Sequence, residues 1–184
     1  MIRAVLWLLG ALLLGGIVHL STVLAMPEAA TQDAYSRLAR LAPVNAVVPL
    51  AAPTAHDSVL PFMDPAFAVA VCRYDLSTGA LKLRAPLSQA YTSVTFYTRN
   101  SVAYYAINDR AAGRRAIELD LMTAEQHAQM PEEEDVTAAD RLIIESPTKR
   151  GLIVLRALAP EADLMPMAQG ALAGAQCRIE PTPQ

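Results

Sequence analysis

The stretch from Ala4 to Met26, AVLWLLGALLLGGIVHLSTVLAM, holds no Asp, Glu, Lys or Arg, and Arg3 stands immediately before it. A helix of this length rises about 34 Å, enough to cross a hydrocarbon layer of about 30 Å. Lipid offers the backbone no competing partner, so Gly10, Gly15 and Gly16 are tolerable inside such a helix. His19 is its one costly side chain, and it stands near the far end, within reach of the headgroups. The same residues also fit a secretory signal, with a basic start, an apolar middle and Val23-Leu24-Ala25 as a small-residue exit. Length favours the retained anchor.

Both readings send the rest of the chain across the membrane. A positive start keeps the N-terminus in the cytoplasm. The expected location is therefore the inner (cytoplasmic) membrane, single-pass, with the N-terminus inside and the C-terminal domain periplasmic; cleavage of the signal would release it as a secreted protein. Cys72 and Cys177 belong to no CxxC pair and no Cys/His cluster. In an oxidising compartment they are a disulfide candidate, and closing a loop of about 100 residues stabilises by about 4–5 kcal/mol in the chain-entropy model.

The formal net charge of -3 and pI near 5.6 provide no basic face, which excludes nucleic acid as a partner. The mean hydropathy of +0.27 is high, and the first 26 residues supply much of it. The chain then divides into three: a membrane anchor or signal peptide over 1–26, a short helix and Pro-rich connector over 27–65, and a β-rich extracytoplasmic domain over 66–184. In TQDAYSRLARLAP the apolar residues Tyr35, Leu38, Leu41 and Ala42 recur at helical spacing, with Thr31 or Asp33 as cap. Pro43, Pro49, Pro53, Pro61 and Pro65 then deny regular structure. The connector is too apolar (VNAVVPLAA, VLPFM) to float freely, and is expected to lie over the domain.

Beyond residue 65 the period changes to two. ALKLRA and AIELDL alternate cleanly between apolar and charged residues, as half-buried strands do. VAVCRY, YTSVTFYT, VAYYAI and RLIIES are rich in Val, Ile, Tyr and Thr. GLIVLRAL is apolar on both faces up to Arg156, as a central strand should be. Asp75-Leu-Ser-Thr-Gly79 supplies a tight turn. Thr123 and Gln126 form a capping box for a helix over TAEQHAQM, and a closing helix is expected after Pro160, through Pro166 to Cys177. The expected fold class is α+β, mostly antiparallel β (sandwich-like or a partly open barrel) with a few short helices, preceded by one N-terminal transmembrane helix.

Chemistry is sparse. His19, His56 and His127 have no metal-ligand spacing, and no zinc pattern, nucleophile elbow or phosphate or dinucleotide loop occurs, so no metal, no cofactor and no catalytic residue is expected. The acidic run Glu132-Glu133-Glu134-Asp135 lacks calcium-loop spacing and reads as a solvated loop. More informative is the alternation that puts Tyr91, Ser93, Thr95 and Tyr97 on one strand face. If that face lines a cavity, its hydroxyl tips with Arg99 nearby would suit a small polar or amphipathic ligand; otherwise it is a solvent-facing sheet. The segment VAYYAINDRAAGRRAIELDL reads as two strands around the polar tip of a hairpin, with Asn108 and Gly113 at left-handed positions. The candidate ligand-binding set is Tyr97, Arg99, Tyr105, Asn108, Asp109 and Arg110.

PFMDPAFAVAVCRYDLSTGALKLRAPL, FYTRNSVAYYAINDRAAGRRAIELDLMT and RLIIESPTKRGLIVLRAL are together similar to the small membrane-anchored members of bacterial domain-of-unknown-function family 1254. The resemblance implies an envelope protein with a β-rich domain and carries over no reaction and no catalytic residues. Two functions remain open. One is a membrane-anchored, periplasm-facing domain that binds an envelope protein or a small ligand. The other is a periplasmic enzyme of unidentified reaction, with polar residues at one end of the sheet.

Overall fold

The computed structural model of the chain describes residues 1–29, 33–112, 116–130 and 142–181, and it divides into two units, Met1–Asp33 and Ala34–Gln184. The first is helix α1 (Ile2–Ala29). From Ile2 to Met26 its large apolar side chains are exposed all round, and this span, with mean hydropathy 2.1, is long and apolar enough to cross a membrane. The Thr22 hydroxyl donates to the Val18 carbonyl at 2.8 Å, so the helix satisfies that polar group internally.

The second unit carries two sheets. Five strands run in the order β1 (Val47–Pro49), β2 (Phe67–Asp75), β8 (Arg150–Leu158), β4 (Thr92–Thr98) and β5 (Ala103–Asn108), each antiparallel to its neighbour. The other four run β7 (Leu142–Ser146), β6 (Ala116–Thr123), β3 (Gly79–Pro86) and β9 (Gln176–Pro181), antiparallel except for the parallel pair β6–β7. Among the described residues neither sheet closes into a barrel. The helices are short: α2 (Ala34–Leu38), α3 (Asp109–Ala112), α4 (Ala124–His127) and α5 (Met165–Ala173).

The inner faces of both sheets share one core. Ala70, Cys72 and Tyr74 of β2 and Ile153 and Leu155 of β8 pack in the same cluster as Leu81 and Leu83 of β3 and Leu119 and Leu121 of β6. Ala168 and Leu172 of α5 join it. The disulfide Cys72–Cys177, across 105 residues of sequence, joins a central strand of one sheet to the edge strand β9 of the other, with Cα atoms 6.5 Å apart. A second cluster covers the opposite face of the five-stranded sheet: Val69, Val71, Leu152 and Val154 under Tyr35, Leu38 and Leu50. That face is clothed by α2 and the connector, as the connector's apolar composition implies.

Most expected elements form where the pattern puts them. The Thr123–Gln126 capping box is complete, and Pro166 occupies the first turn of α5. Four expectations fail. The closing helix stops at Ala173, and Gln176–Pro181 is a strand; its alternation of Cys177 and Ile179 with Arg178 and Glu180 was hidden behind an Ala-rich run. The connector contains a short strand, β1, because Pro49 on a sheet edge gives up no ladder bond. VAYYAI and AIELDL do not form a hairpin: β5 pairs with β4, whereas β6 pairs with β3 and β7 in the other sheet. The polar segment between them carries the chain from sheet to sheet. Alternation reveals a strand, but not its partner. Asn108 has no left-handed backbone; its side-chain oxygen accepts from the Ala111 N–H at 3.2 Å and caps α3. Gly113, Arg114, Arg115 and the acidic run 132–135 lie outside the described residues, as does Thr31.

The turn from Asp75 to Gly79 depends on local polar bonds at its start and on a glycine at its end. Asp75 accepts from the Ser77 backbone and hydroxyl and from Arg150 Nε at 2.7 Å. These bonds, the Ser77 hydroxyl first, hold its carboxyl below the usual carboxylate range despite partial burial, so this contribution to stability is present at neutral pH and lost as pH falls through the lowered value. Where β3 begins, Gly79 has φ 155°, and a Cβ there would meet the Glu180 carbonyl at 2.1 Å.

The other demanding glycine is Gly151. The Tyr74 hydroxyl, in the core, lies 2.9 Å from Ser146 Oγ, 3.1 Å from the Tyr104 hydroxyl and 3.3 Å from the Tyr97 carbonyl. Burial, with Tyr74 beside it, pushes the Tyr104 phenol well above its ordinary range. A Cβ on Gly151 would sit 2.2 Å from the Tyr97 carbonyl and 2.3 Å from the Tyr74 hydroxyl. Gly151→Ala should therefore cost about 2 kcal/mol or more in denaturant unfolding. Gly170→Ala, in α5 with nothing within 4 Å, should be neutral or stabilise by up to about 1 kcal/mol. Equal stability of the two variants would contradict the packing described around Tyr74.

Candidate functional site

A groove of about 530 Å³ opens on the outer face of the five-stranded sheet, between that sheet and the connector arm Leu60–Asp64. Its floor is set by strand register. One row runs Val69–Arg156–Ser93 across β2, β8 and β4; the next holds Val71, Val154 and Thr95, and the third Arg73, Leu152 and Tyr97. Tyr91, just before β4, and Phe67 line the groove beside the first row. Of the four residues that alternation puts on one face, Tyr91, Ser93 and Tyr97 line this cavity, and Thr95 does not.

The connector is held in place by polar bonds as well as apolar ones. Asn45, at φ 58°, presents its side chain to the backbone of Asp75: Oδ1 accepts from the Asp75 N–H at 2.9 Å and Nδ2 donates to the Asp75 carbonyl at 3.2 Å. Asn is among the few residues that adopt such angles readily. Leu50 donates its N–H to the Val69 carbonyl at 2.9 Å. Arg73 reaches from β2 to the Ala42 carbonyl at 3.0 Å and the Ala39 carbonyl at 3.4 Å, and its guanidinium lies 4.5 Å from the centre of the Tyr35 ring. A second guanidinium, that of Arg99, lies 4.3 Å from the same ring and bonds Ser36 Oγ at 3.3 Å. Such cation–π contacts stabilise by about 0.5–2 kcal/mol each. Together they fix α2 and the start of the connector against the sheet.

Further along, Asp64 Oδ1 accepts from the Ala66 N–H at 2.9 Å, which turns the chain into β2. Just before it Phe62 has φ 60° and a fully exposed side chain. A bulky residue in the left-handed region costs about 1–3 kcal/mol. In Phe62 that cost is met without any burial of the ring, at the margin of the groove it lines.

The six residues singled out from the sequence do not converge. Tyr97 lines the groove, and Arg99 lies beyond it against Tyr35. Tyr105 stands opposite Phe96 in the ladder, with ring centres 6.0 Å apart edge to face. Asn108 pairs with Ser93, four residues along β4 from Tyr97, which in an extended strand is about 13 Å. Asp109 and Arg110 follow in α3 at that far end. Sequence reasoning missed the roof, Leu60 to Asp64, and Arg156. Arg156 is legible in retrospect as the single charge in the apolar strand GLIVLRAL.

A second concavity, on the outer face of the four-stranded sheet, is lined by Lys82, Arg84, Glu118 and Glu180 among others. Four of its charges are paired, Lys82 with Glu180 and Arg84 with Glu118 at 2.9 Å, and Arg178 bonds the Gln176 side chain. It is a cross-strand ion-pair ladder on a solvated face. No cluster of metal-ligating side chains occurs among the described residues.

The fold and groove together define a class: a two-sheet β domain, roofed on one outer face by its own N-terminal connector, behind an apolar helix. The chain belongs to the family of proteins of unknown function designated DUF1254, whose model matches residues 44–179. Its fold resembles the crystal structure of the VPA0106 protein from Vibrio parahaemolyticus, with a TM-score of 0.57 at 10% identity over 82% of this chain. The chain spans 38% of that protein's length. A putative uncharacterised protein from Burkholderia cenocepacia aligns with a TM-score of 0.47 at 13% identity, over 74% of this chain and 34% of that one. No curated protein matches the sequence.

Proposed function

We propose that the protein is a membrane-tethered binding domain that faces the periplasm and takes a small ligand in the roofed groove. The observation that carries the reading is the groove: about 530 Å³, within the range of about 300–1,000 Å³ usual for small-molecule sites. It is mostly apolar in lining, with a few hydroxyls, one arginine and one aspartate, the composition that binds an apolar body and orients it by a few polar contacts. The concavity on the other sheet differs: charged side chains dominate its lining, two cross-strand ion pairs among them. Arg3 before the apolar helix supports an inside N-terminus, and the disulfide supports an oxidising compartment for the domain.

Two measurements test this. The neutral probe 3-phenylpropan-1-ol, added to the full chain in a nonionic detergent micelle, should shift the methyl NMR signals of Val69, Leu152 and Val154. Ser93→Trp, which fills the groove from a half-exposed position, should abolish the shifts at an unchanged melting temperature. Absence of shifts in the wild type would overturn the groove reading. Separately, alkaline phosphatase fused after Gln184 should be active in cells, and an inactive fusion would overturn the orientation.

A further inference from the structure

Arg156 sits in the first floor row between Val69 and Ser93. Its neighbours along β8 on the same face are Val154 and Leu158, both apolar. The side chain is exposed, lines the groove and forms no ion pair or hydrogen bond with any described residue. This sets it apart from Arg73 and Arg99, which are engaged with Tyr35 and its surroundings. One acid, Asp64, also lines the groove, and one of its oxygens is occupied by the Ala66 N–H. The groove therefore presents one uncommitted cation, in the ladder row it shares with Val69 and Ser93 and in a lining that also includes Tyr91. A single planar guanidinium with nearby hydroxyl donors matches a carboxylate in charge and shape. A phosphate monoester would bring a charge of roughly −1.5 to −2 against that one cation.

The body of the ligand is indicated by the walls. Phe67, Tyr91 and Tyr97 present aromatic surface to the cavity, and Phe62 stands at its margin, exposed, on a backbone conformation that burial of its own ring does not repay. Rings so arranged favour a flat apolar partner, which they contact by offset or edge-on packing. Resting on the groove reading above, we infer that the ligand is a small aromatic monocarboxylate, with its carboxylate on Arg156 and its ring between the sheet floor and the Leu60–Asp64 arm.

The test uses three probes with one body: 3-phenylpropionate, 3-phenylpropan-1-ol and 3-phenylpropylamine, titrated into the full chain in nonionic micelles and read at the Val69, Leu152 and Val154 methyls. The carboxylate should bind about ten- to a hundredfold more tightly than the alcohol, as expected of hydrogen bonds to a charged group. Arg156→Gln, at an exposed position, should bring the carboxylate's affinity down to that of the alcohol and so remove its advantage. Arg156→Glu should transfer the preference to the ammonium probe. If the alcohol binds and the carboxylate binds no better, or if Arg156→Gln keeps the preference, the inference falls while the groove reading stands. If no probe shifts the methyls, the groove reading falls first.

Discussion

Strand β8 has two apolar faces, and everything else in the β unit is arranged to cover both. Ile153 and Leu155 face the second sheet, and Leu152 and Val154 face the opposite way. Leaving either pair in water would forfeit roughly 1.5–3 kcal/mol per side chain. The four-stranded sheet covers one side and is bound to it by the Cys72–Cys177 bridge. On the other side there is no sheet, so the residues that follow the apolar helix act as the missing layer. Tyr35, Leu38 and Leu50 complete the cluster there. The connector is thus part of the fold.

The groove is a consequence of that cover being incomplete. A connector rich in proline cannot pair as a strand along its whole length, because a Pro has no N–H to give wherever one would have to face the ladder. After β1 and Leu50 it leaves the ladder; Val59, Leu60 and Met63 pack back against the outer-face cluster, and the chain turns into β2 at Asp64–Phe67, where Phe67 donates its N–H to the Asp64 carbonyl at 3.2 Å. Between those attachments the outer face of β2, β8 and β4 is roofed without being filled. The residues exposed by the gap include the only basic side chain of the described groove lining, Arg156.

Much of the strand content was legible because alternation is local. Leu81 and Leu83, or Ile117 and Leu119, declare a buried face without reference to anything distant. Pairing is not local: VAYYAI and AIELDL, joined by a short polar link, have the pattern of one hairpin, yet they lie in different sheets. The end of α5 was obscured because Ala and Gly at 170–175 carry little directional signal, and the strand after it is short. The site was legible only in part. The shared face of Tyr91, Ser93 and Tyr97 follows from period two. Which face is open, and which of several arginines is engaged, depends on α2 and the connector folding back across some 60 residues of sequence. Arg99, next to the tyrosines in sequence, is held against Tyr35, while Arg156, more than fifty residues later, stands in the groove.

The central claim is that the connector is a permanent layer of the domain, pinned by Asn45, Leu50 and Arg73. Native-state hydrogen exchange tests it most directly. The amides of Asn45 and Leu50, which donate to the Arg73 and Val69 carbonyls at 2.7 and 2.9 Å, should exchange with protection comparable to that of β2 and β8, as members of one cooperative unit. Exchange of those two amides at the rate of an unfolded chain, with β2 and β8 still protected, would contradict it.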